Sequence, residues 1–218
     1  MIDKIERICL EGMLPRVFVS EEIPRSDVWK VSLTFRRGMR YLVEAASGGG
    51  KSSMCSYIYG SRNDYEGRLM FDTTDVSELG IGEWQNLRRM NLAYLPQELS
   101  LFPELTAMQN IELKNGLTGH VEKGRIEEWL HVLGIDSRRD YPVGRMSIGQ
   151  QQRVGIIRSL CQPFDFILLD EPVSHLDEEN NRKASEIICG EADRQGAGVI
   201  STSVGNPLVM ENPVVLRL

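Results

Sequence analysis

The chain has 218 residues, 41% hydrophobic and 26% charged, with a formal net charge of −6. This length supports one large domain or at most two small ones, and the acidic balance gives non-specific nucleic-acid binding no electrostatic support. No apolar run approaches the roughly 20 residues of a bilayer span and no signal-peptide pattern opens the chain, so any spanning part would lie on another chain.

In chain order, Trp29, Val31, Leu33 and Phe35 alternate with Lys30, Ser32 and Thr34. This predicts a half-buried strand with Trp29 on its core side. Arg37-Gly38 reads as a turn, and Met39 to Val43 as the returning strand. It feeds the glycine-rich stretch Ser47-Gly48-Gly49-Gly50-Lys51-Ser52-Ser53. A helix is expected from Lys51 to Tyr59, closed by Gly60. Leu69–Phe71 and Leu92–Leu95 read as short strands, the second stopped by Pro96. Residues from Thr106 to Gly134 suit helices punctuated by Gly116, Gly119 and Gly134, and a further helix runs from Ser147 to about Cys161. Strand–helix alternation resumes at Phe166–Leu169, an apolar run suited to a strand buried on both faces of a parallel sheet. Glu178 to about Arg194 is the last long helix, and Val199-Ile200 and Val214–Leu216 are closing strands. The four cysteines (Cys9, Cys55, Cys161, Cys189) form no C-x-x-C pair, which favours reduced thiols in the cytoplasm and argues against a zinc site.

Two segments carry phosphate chemistry. Gly48, Gly49 and Gly50 let backbone N–H groups turn inward around a polyphosphate. Lys51 supplies a point charge for the terminal phosphates, Ser52 a hydroxyl for a metal ion, and the following helix its positive dipole end. The pattern wants a first glycine where this chain has Ala45. Downstream, Asp170 and Glu171 stand at the carboxyl end of the apolar strand, where ligands of open α/β sheets bind. Asp170 suits magnesium, and Glu171 suits general-base activation of water.

Met146-Ser147-Ile148-Gly149-Gln150-Gln151-Gln152-Arg153 resembles the signature motif of ATP-binding-cassette (ABC) ATPases. Tyr94-Leu95-Pro96-Gln97 resembles the family's Q-loop, and Ser174-His175-Leu176-Asp177 its D-loop. The resemblance covers essentially the whole chain. It implies an α/β fold with a P-loop NTPase core of mostly parallel sheet, an N-terminal antiparallel β subdomain and an α-helical insertion. The implied organisation is one domain over 1–218, with a core of 1–97 and 163–218 and a helical subdomain of 98–162.

The resemblance also implies a mechanism. Two cassettes pack head to tail around two ATP molecules, each held on one subunit's P-loop (Ser47 to Ser53) and facing the other's Ser147, Gly149 and Gln150. Ser52, Gln97 and Asp170 are the implied magnesium ligands, with Gln97 reporting nucleotide state to a docked partner and Asp177 connecting the two sites. Phe18 is the chosen adenine-stacking aromatic, against a plain packing role. A separate membrane-spanning permease would hold the cassette at the inner face of the cell membrane. Leu99, Leu101, Phe102 and Met108 lie where a coupling helix is received, unless they pack the helical insertion. Leu105 to Asn110 resembles the lipoprotein-release and macrolide-export branch.

Three departures soften the pattern. Ala45 disfavours a positive φ where the family has glycine. Ile148 replaces the first signature glycine and Ser203 the switch histidine. Serine can hydrogen-bond a phosphate but cannot carry the charge or shuttle the proton of an imidazole. His120 and His131 fall in the helical insertion and His175 in the D-loop, so none takes that place by sequence; a rescue by His175 stays open. The expectation is a slow ATPase coupled to transport. The alternative is an ATP-gated regulatory or scaffold protein with little hydrolysis, which Ser203 and Ile148 favour and Glu171 opposes.

Overall fold

The computed structural model describes residues 2–20 and 25–218. A five-stranded parallel sheet in the order β6-β7-β8-β3-β9 forms its centre. The strands are β3 (Arg40–Glu44), β6 (Leu92–Leu95), β7 (Phe166–Asp170), β8 (Gly198–Ser203) and β9 (Val214–Arg217). Every residue of β7 and β8 is buried, as a strand covered on both faces requires. Alternate side chains divide between two cores. Ile167, Leu169 and Val199 pack under the helices of one face, and Phe166, Leu168 and Ile200 join the core on the other.

That second core is closed by a four-stranded antiparallel sheet of order β2-β1-β4-β5. It comprises β1 (Arg7–Pro15), β2 (Ser32–Arg36), β4 (Tyr65–Phe71) and β5 (Thr74–Asp75). Helices α1 (Lys51–Ile58) and α2 (Ile81–Met90) complete this half. The buried Asp165 ties its parts together: it accepts from the Ile5 N–H at 2.8 Å and Asn91 Nδ2 at 2.7 Å, and pairs with Arg37 at 3.1 Å.

Between β6 and β7 the chain inserts α3 (Ala107–Asn115), α4 (Lys123–Val132) and α5 (Ile148–Leu160), and α6 (Glu178–Gln195) follows β7. Thr106 and Ser147 cap α3 and α5, each with a glutamine three residues on returning the bond. The fully buried Asn110 accepts from the Phe102 N–H and donates to the carbonyls of Phe102, Leu105 and Thr106. It thereby fixes the loop leading into α3. Among the described residues no helix is long and apolar enough to cross a membrane.

The elements read from periodicity are present, with one correction. The predicted strand over Trp29–Phe35 begins only at Ser32. The Val28 and Trp29 N–H groups are capped by Ser26 Oγ, and Lys30 takes a φ of 59°, so the apolar alternation runs through a turn. Strand β1 and helix α2 were not foreseen. Residues 21–24 lie outside the description.

Candidate functional site

The phosphate loop runs from β3 to α1. Gly48 and Gly50 have φ of 85° and 92°, the left-handed region that only glycine enters freely. Gly50 is doubly constrained: a Cβ there would stand 3.1 Å from both the Phe18 and Trp29 rings. Trp29 is buried and donates its indole N–H to the Gly49 carbonyl at 3.1 Å. Phe18 is half-buried, in a short 3-10 turn (Arg16–Phe18), and packs against the second core. Trp29 thus holds the loop through its indole N–H, and the partly exposed Phe18 ring lies beside Gly50. Ala45 is not among the described residues with positive φ, so the strain expected of a β-carbon there does not arise. Its methyl lies 3.0 Å from where a Cβ on Gly49 would be, so the pair tolerates alanine because residue 49 has no side chain.

Lys51 is buried, and its ammonium donates to the carbonyls of Ala45 at 3.0 Å and Ala46 at 2.9 Å. Burial lowers its pKa, while the charges of Glu171 and Asp170 act in the opposite direction. The lysine and both acids therefore share one electrostatic site. Ser47, Gly48 and Ser52 are exposed along the loop, and Ser53 accepts from Arg62 at 3.1 Å.

At the end of β7, Asp170 is 2% exposed and accepts from Thr202 Oγ1 at 2.8 Å. The same oxygen accepts the Glu171 N–H at 3.1 Å. Glu171 has a φ of 52°, a conformation costing a non-glycine residue about 1–2 kcal/mol. Buried Gln152 of α5 and Ser174 both donate to its carbonyl, so with Thr202 three side chains hold this turn. Strain held by its surroundings is a mark of functional sites. Thr202 and Gln152 were assigned no role from sequence. Thr202→Val keeps the shape but leaves Asp170 without its donor and the Glu171 N–H without its acceptor. We expect a loss of about 1–3 kcal/mol, read from urea unfolding; an unchanged midpoint would contradict this bonding scheme.

Ser52, Gln97 and Asp170 line one cavity of about 530 Å³ between the two halves of the molecule. Glu171 and Ser203 face a second, of about 130 Å³, with Ser174, Val204 and Asn206. Ser203 is 3% exposed and its hydroxyl accepts from the Gly205 N–H at 3.1 Å. No imidazole lines either cavity. His120 contacts Arg194 and Glu191, His131 is 79% exposed, and His175 sits on the surface with Nδ1 3.1 Å from Ser174 Oγ. Among the described residues no cluster of three or more His, Cys, Asp or Glu could hold a metal unaided. One carboxylate with a hydroxyl and an amide suits magnesium, which keeps waters and borrows phosphate oxygens.

Ser147, Gly149 and Gln150 line neither cavity. They lie at the start of α5, where Ser147 and Gln150 cap each other and Ile148 is 51% exposed. A Cβ on Gly149 would stand 2.9 Å from the His175 carbonyl, so glycine allows α5 to approach the Ser174–Asp177 loop closely. Asp177 caps α6 by accepting the Asn180 N–H at 2.8 Å. The predicted site residues thus fall into two groups, one at the phosphate loop and one at the α5 tip.

The chain resembles known proteins along most of its length. It is 29% identical over 192 residues to the uncharacterized ABC transporter ATP-binding protein YclH of Bacillus subtilis, covering 86% of this chain and 84% of that protein. It is 35% identical over 176 residues to macrolide export ATP-binding/permease protein MacB 1 of Aeromonas hydrophila, covering 79% of this chain but 27% of that longer protein. Among solved structures, the dimeric bacterial ABC transporter cassette MJ0796 superposes with a TM-score of 0.74 at 26% identity, over 90% of this chain and 87% of the other. A dimeric post-hydrolysis state of MJ0796 bound to ADP and Pi matches at 0.73 and 25%, over 91% of this chain and 88% of the other. Residues 28–174 match the family model described as ABC transporter, and with the phosphate loop, the acidic strand end and the α5 tip in place, the chain belongs to the ABC transporter family.

Proposed function

We propose that this chain is the ATP-hydrolysing subunit of a transporter whose membrane-spanning part is a separate chain. In this reading residues 1–218 form one cassette, with a core of 1–97 and 163–218 and a helical subdomain of 98–162. The observation that carries it is that Ser52 of the phosphate loop, Gln97 and Asp170 line one cavity while Ser147, Gly149 and Gln150 stand apart. Residues of both groups are needed around a triphosphate, so a second cassette must bring its α5 tip to this phosphate loop. The dimeric structures of MJ0796 support that arrangement.

In the assembled site the N–H groups of Gly48 to Ser53 bind the phosphates, with Ser47 at the loop's rim. Lys51 leaves its two carbonyl partners for the terminal phosphates, and Phe18 stacks on adenine. Ser52, Gln97 and Asp170 would hold magnesium, which would supply neutralisation of the phosphate charge. Glu171 accepts a proton from the attacking water as oxygen bonds to the γ-phosphorus. The bond to the bridging oxygen breaks, giving ADP and phosphate. Ser203 faces the same cavity as Glu171 but carries no charge, so turnover is slow. The cassette sits at the inner face of the membrane through its partner, received in the groove beside Gln97.

Lys51→Ala should weaken ATP binding about thirtyfold or more, the usual scale for losing one member of a buried charged contact. Calorimetric titration of the purified chain tests this. An unchanged affinity would remove ATP from the loop and the reading with it.

A further inference from the structure

The first turn of α1 carries a second serine, Ser53, whose hydroxyl is held from outside the phosphate loop. Arg62, in the loop between α1 and β4, donates an Nη1 N–H to Ser53 Oγ at 3.1 Å. The rest of its guanidinium is committed elsewhere. Nε and Nη2 donate to the two Asp64 carboxylate oxygens at 2.9 and 2.5 Å, and the group lies 5.4 Å over the Tyr57 ring. A cation fixed by a bidentate carboxylate and an aromatic face points its remaining prong at one hydroxyl.

Asp64 is anchored in turn. Its carbonyl accepts from Tyr57 Oη at 3.1 Å and from the Arg16 N–H at 3.0 Å. Arg16 opens the 3-10 turn that ends in Phe18. Arg62 therefore stands between the end of the phosphate loop and the turn that bears the aromatic. Lys51, Asp170 and Glu171 share the other end, that of the terminal phosphates.

A hydroxyl has one donor and two acceptor sites. With Arg62 on one lone pair, the Ser53 O–H is left to donate. A serine in a helix ordinarily turns that O–H to the carbonyl four residues back, here Gly49. That carbonyl already accepts the Trp29 indole N–H at 3.1 Å. Tyr57, one turn along, lies close enough to receive the O–H, but an anionic phosphate oxygen is the stronger acceptor. The ion pair also answers the Asp64 charge, which would otherwise oppose a phosphate nearby.

We propose that Arg62 is a positioning residue for the nucleotide: by holding Ser53 Oγ on its acceptor side, it aims the Ser53 O–H at the α-phosphate. The inference rests on the reading that ATP sits on the phosphate loop, and adds what orients its sugar-proximal phosphate. That phosphate is common to ATP and ADP and keeps its bonds during hydrolysis. Arg62 therefore acts equally on both nucleotides, and on binding rather than on the chemical step. Arg62 and Asp64 are 43% and 46% exposed, so the pair itself contributes little to stability and the fold should tolerate its loss.

Calorimetric titration of the full chain with ATP and with ADP, each with magnesium, tests this. Arg62→Ala should weaken both by about tenfold, the scale of one hydrogen bond to a charged group. The KM for ATP should rise while kcat stays within about twofold. In a Ser53→Ala background the same change should have little further effect, since the two residues act as one unit. Arg62→Lys keeps the charge but loses the fork, and should recover only a minor part of the loss. A urea midpoint shared by the parent and Arg62→Ala separates positioning from misfolding; should the alanine variant not fold, Arg62→Gln takes its place. Unchanged affinities overturn the proposal, as does a loss that persists in the Ser53→Ala background or is fully recovered by lysine. Those outcomes leave ATP on the phosphate loop. Failure of the parent chain to bind ATP would instead remove that reading.

Discussion

Ser203→His is expected to raise steady-state ATP turnover by roughly 10²-fold or more, the range a positioned acid–base group contributes. Ser203 ends β8, buried, with its hydroxyl turned to the Gly205 N–H. It faces Glu171 across a cavity of about 130 Å³, and that space is open to a longer side chain. An imidazole there could donate to a γ-phosphate oxygen and carry charge near neutral pH, neither of which serine does as well. None of the other histidines lines the cavity, although His175 Nδ1 stands 3.1 Å from Ser174 Oγ on its wall, so the gain should persist in a His175→Ala background. A parent that already turns over rapidly, unchanged by the substitution, would sink this account of the slow step.

Glu171→Gln should have the opposite effect, lowering turnover by about 10²–10⁴-fold while ATP binding is retained. The amide keeps the shape and loses the proton acceptor. Its backbone is held in place independently of the carboxylate, by Thr202 Oγ1 at the N–H and by Gln152 and Ser174 at the carbonyl, so the φ of 52° should survive the change. The substitution is best read in the Ser203→His background, where it should erase the gain. Equal rates for the two backgrounds with and without Glu171 would assign the base elsewhere.

Much of this site was legible in the sequence because its chemistry is local. Phosphate binding needs consecutive N–H groups, a lysine and a hydroxyl, so Gly48 to Ser52 announce themselves. An apolar strand ending in Asp170-Glu171 does the same. What sequence could not supply were partners distant in the chain. Thr202 bridges Asp170 and the Glu171 N–H across 32 and 31 positions, and Gln152 reaches Glu171 across 19. Nothing in either residue's own neighbourhood signals the contact.

The missed elements have equally physical reasons. In β1 the register shifts between Glu11 and Leu14, and Gly12 takes a φ of 62°. That irregularity breaks the two-residue alternation on which strand recognition depends. Helix α2 buries only Leu87 and contains Gly82, a residue that weakens helices and lowers the local helical signal. Trp29 failed the other way. Its alternation was genuine, but Ser26 caps its N–H and the chain turns at Lys30 before β2 begins. The indole serves the phosphate loop through Gly49.

The central claim is that the phosphate loop of one cassette is completed by the α5 tip of another. Light scattering on the Glu171→Gln chain, with and without magnesium ATP, tests it most directly. Blocking hydrolysis should preserve the sandwich, so the mass should double when ATP is added and return to that of one chain when ATP is removed. A chain that binds ATP yet keeps the mass of a single copy at saturation would contradict the composite site.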